Sequence, residues 1–75
     1  MFVVKPIESL SEAEKACAEA SRHGWRLRFV LIDGQGCRWT WKNGPIEFEG
    51  MTNAMTKEVG LVYALEHLAM MANGL

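Results

Sequence analysis

The chain has 75 residues, 49% of them hydrophobic and 23% charged, and a formal net charge of −1. This length fits one domain with one small core, and the hydrophobic fraction excludes a disordered chain. No apolar run approaches the about 18 residues of a membrane-spanning helix, and residues 1–6 lack the layout of a signal peptide. Two cysteines, Cys17 and Cys37, are too few for a disulfide scaffold. We therefore expect a single cytoplasmic domain over residues 1–75, with both thiols free.

The first 24 residues predict an extended segment and then a helix. Residues 2–4 are β-prone, and Pro6 restricts this stretch to an edge strand or an extended arm. Ser9 and Glu12 have the spacing of a capping box, which predicts that a helix begins here. Gly24 is a typical residue to follow the end of a helix. Between them one apolar stripe recurs at helical spacing: Leu10, Ala13, Ala16, Cys17 and Ala20.

Residues 25–49 predict a three-stranded meander. Residues 25–33 and 37–42 alternate between apolar and basic positions, and Asp33-Gly34-Gln35-Gly36 is a turn between them. Matching the apolar faces predicts three pairs in the first hairpin: Leu31 with Cys37, Phe29 with Trp39, and Leu27 with Trp41. A two-residue turn at Asn43-Gly44 predicts three more: Trp41 with Ile46, Trp39 with Phe48, and Arg38 with Glu49. Gly50 is expected to end the third strand.

A long second helix is expected from about Thr52 or Asn53 to Ala72, ended by Asn73-Gly74. At 100° per residue, one apolar sector contains Ala54, Leu61, Leu65, Leu68 and Ala72. Ala69 extends the apolar arc, and the remaining sector contains Thr56, Lys57, Gly60, Ala64, His67 and Met71. The apolar arc is wider than one sheet face would cover. The part that the sheet leaves uncovered predicts a dimer or partner interface, which we assign to Met55, Val59, Val62, Tyr63 and Met70. The sequence does not determine which side of this helix faces the sheet.

The expected fold is α+β, in the order (β)-α-β-β-β-α, with both helices on the tryptophan-bearing face of an antiparallel sheet. The element order resembles that of the double-stranded RNA-binding domain. That family begins its second helix with a lysine-rich stretch, whereas residues 53–58 contain Lys57 beside Glu58, and Gly44-Pro45 falls one hairpin later than that family's Gly-Pro loop. The resemblance is one of topology, which does not carry function, so no family and no RNA-contacting residue are assigned.

The charges are unevenly distributed. Residues 22–42 contain five basic residues and one acid, a net +4. Four of the basic residues alternate onto the face opposite the tryptophans: Arg26, Arg28, Arg38 and Lys42. This pattern is typical either of an anion-binding surface, for nucleic acid or an acidic protein, or of a solvated face that Glu47 and Glu49 partly neutralise. The tryptophans alternate onto the same face of the strands as the apolar residues Leu27 and Phe29, so we expect them to pack in the core. Trp25, at the beginning of its strand, is the one expected to be partly exposed.

Signals for catalysis are weak. The sequence contains no phosphate-binding loop, paired carboxylates or metal-ligand cluster, so we expect no catalytic, cofactor or metal residues. His23 lies at a helix end, where a structural role is expected, and His67 lies on the second helix beside Glu66 without forming an acid–base pair. Cys17 and Cys37 are expected to point inward, away from the accessible setting of a nucleophile.

Three functions remain open at this point. The leading one is a non-enzymatic interaction module that self-associates as a two-fold dimer through its C-terminal helix, which would suit an accessory or inhibitory protein of a phage or mobile element. The second is binding of nucleic acid through the basic sheet face. The third is a small cysteine-dependent enzyme.

Overall fold

The computed structural model describes residues 9–73. The elements in chain order are α1 (Leu10–Arg22), β1 (Arg26–Ile32), β2 (Gly36–Asn43), β3 (Ile46–Thr52) and α2 (Lys57–Asn73). The three antiparallel strands lie in the order β1-β2-β3, and both helices contribute to one buried cluster with the tryptophans. The expected α+β class and the α-β-β-β-α order are thus confirmed. The β-prone run at residues 2–4 and the terminator Gly74 lie outside the described residues.

Helix α1 has the ends that its sequence predicts. The Ser9 hydroxyl accepts a hydrogen bond from the Glu12 backbone N–H at 3.2 Å, which satisfies a donor that has no partner within the helix. At the other end the Trp25 N–H donates to the Ala20 carbonyl at 3.1 Å, and the Gly24 N–H to the Ser21 carbonyl at 3.0 Å. These two bonds form a Schellman motif. The chain is thereby turned directly into β1.

The first hairpin has the predicted register. Leu31 pairs with Cys37, Phe29 with Trp39, and Leu27 with Trp41. This register places the large apolar side chains of both strands on the face that the helices cover, and a slip of one residue would move them to the other face. The inner face of the sheet could therefore be predicted from alternation alone.

The predicted register of the second hairpin is wrong by two residues. Asn43 pairs with Ile46, so the two-residue loop is Gly44-Pro45 rather than Asn43-Gly44. In the predicted turn Pro45 would have to donate the backbone hydrogen bond that closes the loop, and proline has no N–H. Gly44 instead has φ +60°, which suits the first position of a type II′ turn followed by proline. The shift of two keeps every side chain on its expected face.

The shifted register lengthens β3 and delays α2. Gly50 does not end the strand but lies opposite Trp39, and a Cβ there would lie 2.7 Å from Trp39 Cε2. The strand continues to Thr52, which pairs with Cys37. Helix α2 therefore begins at Lys57 rather than near residue 52. Its N-cap is Thr56, whose hydroxyl accepts from the Val59 N–H at 3.3 Å.

The structure determines which side of α2 faces the sheet, a point that the sequence left open. Leu61, Leu65 and Leu68 are buried. Gly60 and Ala64, which the sequence places outside the apolar arc, are also buried against the sheet. A Cβ on Gly60 would lie 2.5 Å from Cys37 Sγ, so the helix approaches the sheet through its smallest residues. Hydropathy alone does not identify Gly60 and Ala64 as sheet-facing residues, because they have little apolar surface of their own. Their small side chains instead allow the helix backbone to lie close to the sheet.

The tryptophans form the centre of the core. Trp25, Trp39 and Trp41 are 7%, 5% and 0% exposed, so the expected partial exposure of Trp25 is wrong. The Trp25 ring packs edge-on against Phe48 at 5.7 Å between ring centroids. The Trp39 indole N–H donates to His67 Nδ1 at 3.0 Å, so this histidine, which the sequence places outside the apolar arc, packs over the sheet. Core packing is thus confirmed as the role of all three indoles.

Candidate functional site

The outer side of α2 remains apolar. Four of the five predicted interface residues are exposed: Met55 61%, Val59 45%, Tyr63 48% and Met70 70%. Val62 is half-buried, and Met55 precedes the helix because α2 begins at Lys57. We call Val59, Tyr63 and Met70, with the adjacent Met55, the outer face of α2. At 100° per residue these three helical positions lie within about 40° of one line on the side away from the core.

An acidic residue accompanies this apolar line. The exposed Glu66 lies between Tyr63 and Met70 on the same side of α2. Exposed clusters of large apolar side chains are characteristic of surfaces that contact another macromolecule. The outer face of α2 therefore combines an apolar centre with an acidic residue.

The other side of the sheet is not covered by a helix. Its side chains form cross-strand rows, and we call this surface the open face of the sheet. One row joins Arg26, Lys42 and Glu47; the next joins Arg28, Thr40 and Glu49; the third joins Val30, Arg38 and Met51. The predicted placement of the four basic residues on one surface is confirmed by this register.

The basic residues of the open face form no ion pairs within residues 9–73. In that range the ion pairs within 4.0 Å are those of Glu19, on α1, with Arg22 and His23. The expected Arg38–Glu49 pair is wrong, because the register places Arg38 opposite Val30 and Met51 instead. Arg38 thus lies between two apolar residues with no carboxylate directly across either strand. The register moves the facing carboxylate to Lys42, which lies directly across from Glu47, so Arg38 is the cation that loses its expected acidic partner.

A shallow groove of about 540 Å³ crosses this surface. It is lined by the last two rows and by two residues that lie between them along the strands: Arg28, Val30, Arg38, Trp39, Thr40, Glu49, Gly50 and Met51. Val30 and Met51, both largely exposed, give it apolar walls. The groove offers two guanidinium groups, one hydroxyl and one carboxylate to a ligand.

The cysteines and histidines form structural contacts. Burial raises the pKa of the Cys37 thiol, and its Sγ donates to the Ala54 carbonyl at 3.3 Å. Burial, and then the charge of Glu14, raise the pKa of the Cys17 thiol, with Lys57 opposing them. His67 Nδ1 accepts from Trp39, and His23 caps α1 with its Nε2 3.5 Å from Glu19. Within residues 9–73 no group of three or more His, Cys, Asp or Glu side chains could hold a metal ion.

We expect both thiols to react slowly with iodoacetamide near neutral pH in the folded protein. A raised pKa lowers the thiolate fraction, and the thiolate is the nucleophile; the pKa of each thiol is raised. The labelling rate should rise with pH as the thiolate fraction grows and should level off only above the ordinary thiol pKa, and Cys37 should be labelled only on unfolding. Mass spectrometry of timed samples, with the urea-unfolded chain as the control, measures both sites. A thiol that reacts faster in the folded chain than in urea would contradict this and favour the cysteine-dependent enzyme.

Neither helix of the described residues is long and apolar enough to cross a membrane. Compared with protein-family models, curated proteins and solved structures, the chain matches none. The two exposed faces are therefore interpreted from their own chemistry.

Proposed function

We propose that the protein is a non-enzymatic interaction module that self-associates as a two-fold dimer through the outer face of α2. The observation that supports this best is the line of Val59, Tyr63 and Met70, each about half exposed or more, on the side of α2 away from the core. The proposal includes a cytoplasmic setting, which the two free thiols suit. It also includes an accessory or inhibitory role of the kind that phages and mobile elements encode.

A second copy of the chain is the occupant we favour, for two reasons. A core of this size contributes only about 3–5 kcal/mol, so association is a common source of further stability. In addition, a single straight apolar line on a helix can pack against its own symmetry copy, because a two-fold interface uses the same patch twice. Stable interfaces bury about 1,200–2,000 Å² in total, so polar neighbours such as Glu66 must form the rim.

We expect the molar mass of the wild-type protein in solution to rise from that of a monomer to that of a dimer as its concentration increases. Light scattering coupled to size-exclusion chromatography measures this mass. Tyr63→Lys should keep it monomeric, because the change places a charge at the centre of the apolar line. Tyr63 is 48% exposed, so this change should cost the folded monomer less than about 0.5 kcal/mol. Circular dichroism of the variant checks that the fold is intact.

The matched pair Met70→Lys and Met51→Lys separates this interface from a general loss of apolar surface. The two methionines are 70% and 66% exposed, but Met70 lies on the outer face of α2 and Met51 on the open face of the sheet. Met70→Lys should weaken the dimer, whereas Met51→Lys should leave it unchanged. A wild-type monomer at every concentration, or equal effects of the two changes, would contradict the proposal.

A further inference from the structure

The open face of the sheet has its own chemistry, and it lies on the opposite side of the sheet from α2. We propose that this face binds the phosphate backbone of double-stranded nucleic acid, as a surface separate from the dimer interface. The two open faces of an α2-mediated dimer would point outward on opposite sides, so that each could bind its own duplex. The binding itself does not depend on the dimer.

The charge distribution is the first argument. On this face β1 and β2 carry four cationic side chains and no carboxylate, while both acids, Glu47 and Glu49, lie on β3 at one edge of the sheet. Residues 9–73 contain no ion pair that uses any of the four cations. Lys42 lies directly across from Glu47, whereas the three arginines face no carboxylate on a neighbouring strand, so their charges are available to an external anion.

The spacing of the cations is the second argument. Arg26, Arg28 and Arg38 occupy successive rows of the sheet, and rows on one face are about 6.7 Å apart. The basic strip is thus about 13 Å long by the same geometry. A duplex carries one charge per about 1.7 Å of its axis, so several phosphates lie within reach in any register. An acidic protein would have to present a block of like charges at matching positions, and such charges repel one another.

The absence of a stacking ring on this face favours a duplex over single strands. Binding of single strands relies on aromatic side chains on which bases stack. All three tryptophans are buried, and the largely exposed Tyr63 is on α2, on the other side of the molecule. Among residues 9–73 the open face contains no aromatic side chain. We therefore expect backbone contact without sequence preference.

The test is fluorescence anisotropy with short labelled DNA and RNA duplexes, from about 50 to 200 mM NaCl. Four cations neutralise at most four phosphates, so the plot of log K against log salt should have a slope no steeper than about −4. The double variant Arg28→Ala/Arg38→Ala should bind more weakly and have a slope shallower by about 2. Both side chains are exposed and unpaired, so the fold should be unaffected, which circular dichroism verifies.

The control variant Lys15→Ala/Arg22→Ala removes the same net charge from α1, on the side of the helices. It should retain the wild-type slope. The proposal is overturned if the duplexes do not bind at the lowest salt, or if the two double variants lose affinity equally, since net charge alone would then explain the binding. It is also overturned if an acidic peptide, poly-glutamate, binds more tightly than the duplexes, which would assign the face to an acidic protein.

Discussion

Replacing Trp41 by alanine is expected to unfold most of the protein at 25 °C. Trp41 lies on the central strand with no exposed surface, between Leu27 and Phe48 on the neighbouring strands. Its indole N–H donates to the Ala64 carbonyl of α2 at 2.8 Å, so the side chain joins the sheet to the helix. Truncating a buried tryptophan costs about 3–5 kcal/mol, which equals the whole stability that a core of this size provides.

Urea denaturation followed by far-ultraviolet circular dichroism measures this loss. Trp41→Phe retains most of the apolar contact and loses the hydrogen bond to Ala64, so it should remain folded with a loss of about 1–2 kcal/mol. Val30→Ala, at a position 54% exposed on the open face, should change the free energy of unfolding by less than about 0.5 kcal/mol. If Trp41→Ala were as stable as Val30→Ala, the core would not depend on this indole.

Much of the fold could be predicted because local and long-range signals agree. Ser9 and Gly24 mark both ends of α1, alternation in β1 and β2 determines which residues share the inner face, and the short turn at residues 33–36 determines the register. The second hairpin offered two competing signals. Asn43-Gly44 is a strong turn sequence, but Pro45 cannot donate the closing hydrogen bond, so the Gly44-Pro45 turn forms.

The start and rotation of α2 were harder to predict for a different reason. Thr52 and Asn53 are good capping residues, but pairing with Cys37 keeps Thr52 in the sheet, and Thr56 caps the helix instead. The rotation depends on where small residues allow close approach, as Gly60 does beside Cys37. The helical period predicts that Val59, Tyr63 and Met70 lie opposite the three leucines, but which of the two sides faces the sheet became clear only from the structure.

The corrected register also changes how the open face is interpreted. In the expected register Glu49 would have stood across from Arg38 and neutralised it. In the observed one Glu49 stands across from Thr40, and Arg38 has apolar neighbours on both strands. A shift of two residues leaves the membership of each face unchanged but changes every cross-strand pair. Alternation therefore predicts which residues share a surface, whereas the turn determines which charges meet.

Within the first turn, Gly36→Ala is expected to be far more destabilising than Gly34→Ala. Both glycines have positive φ, +73° at Gly34 and +93° at Gly36, so alanine is strained at either position. They differ in their surroundings. A Cβ on Gly34 would meet nothing within 4 Å, whereas on Gly36 it would lie 2.1 Å from the Thr52 carbonyl oxygen and 2.9 Å from Asn53 Cα. These are backbone atoms, which cannot rotate away as a side chain would.

The strain alone should cost Gly34→Ala about 1–2 kcal/mol. Gly36→Ala should lose at least about 3 kcal/mol, because overpacking adds to the strain, and it should also separate β2 from the end of β3 where Cys37 pairs with Thr52. Thermal and urea unfolding of the two variants measure the difference. Equal losses would mean that the turn can move away from Thr52 and would contradict the packed turn.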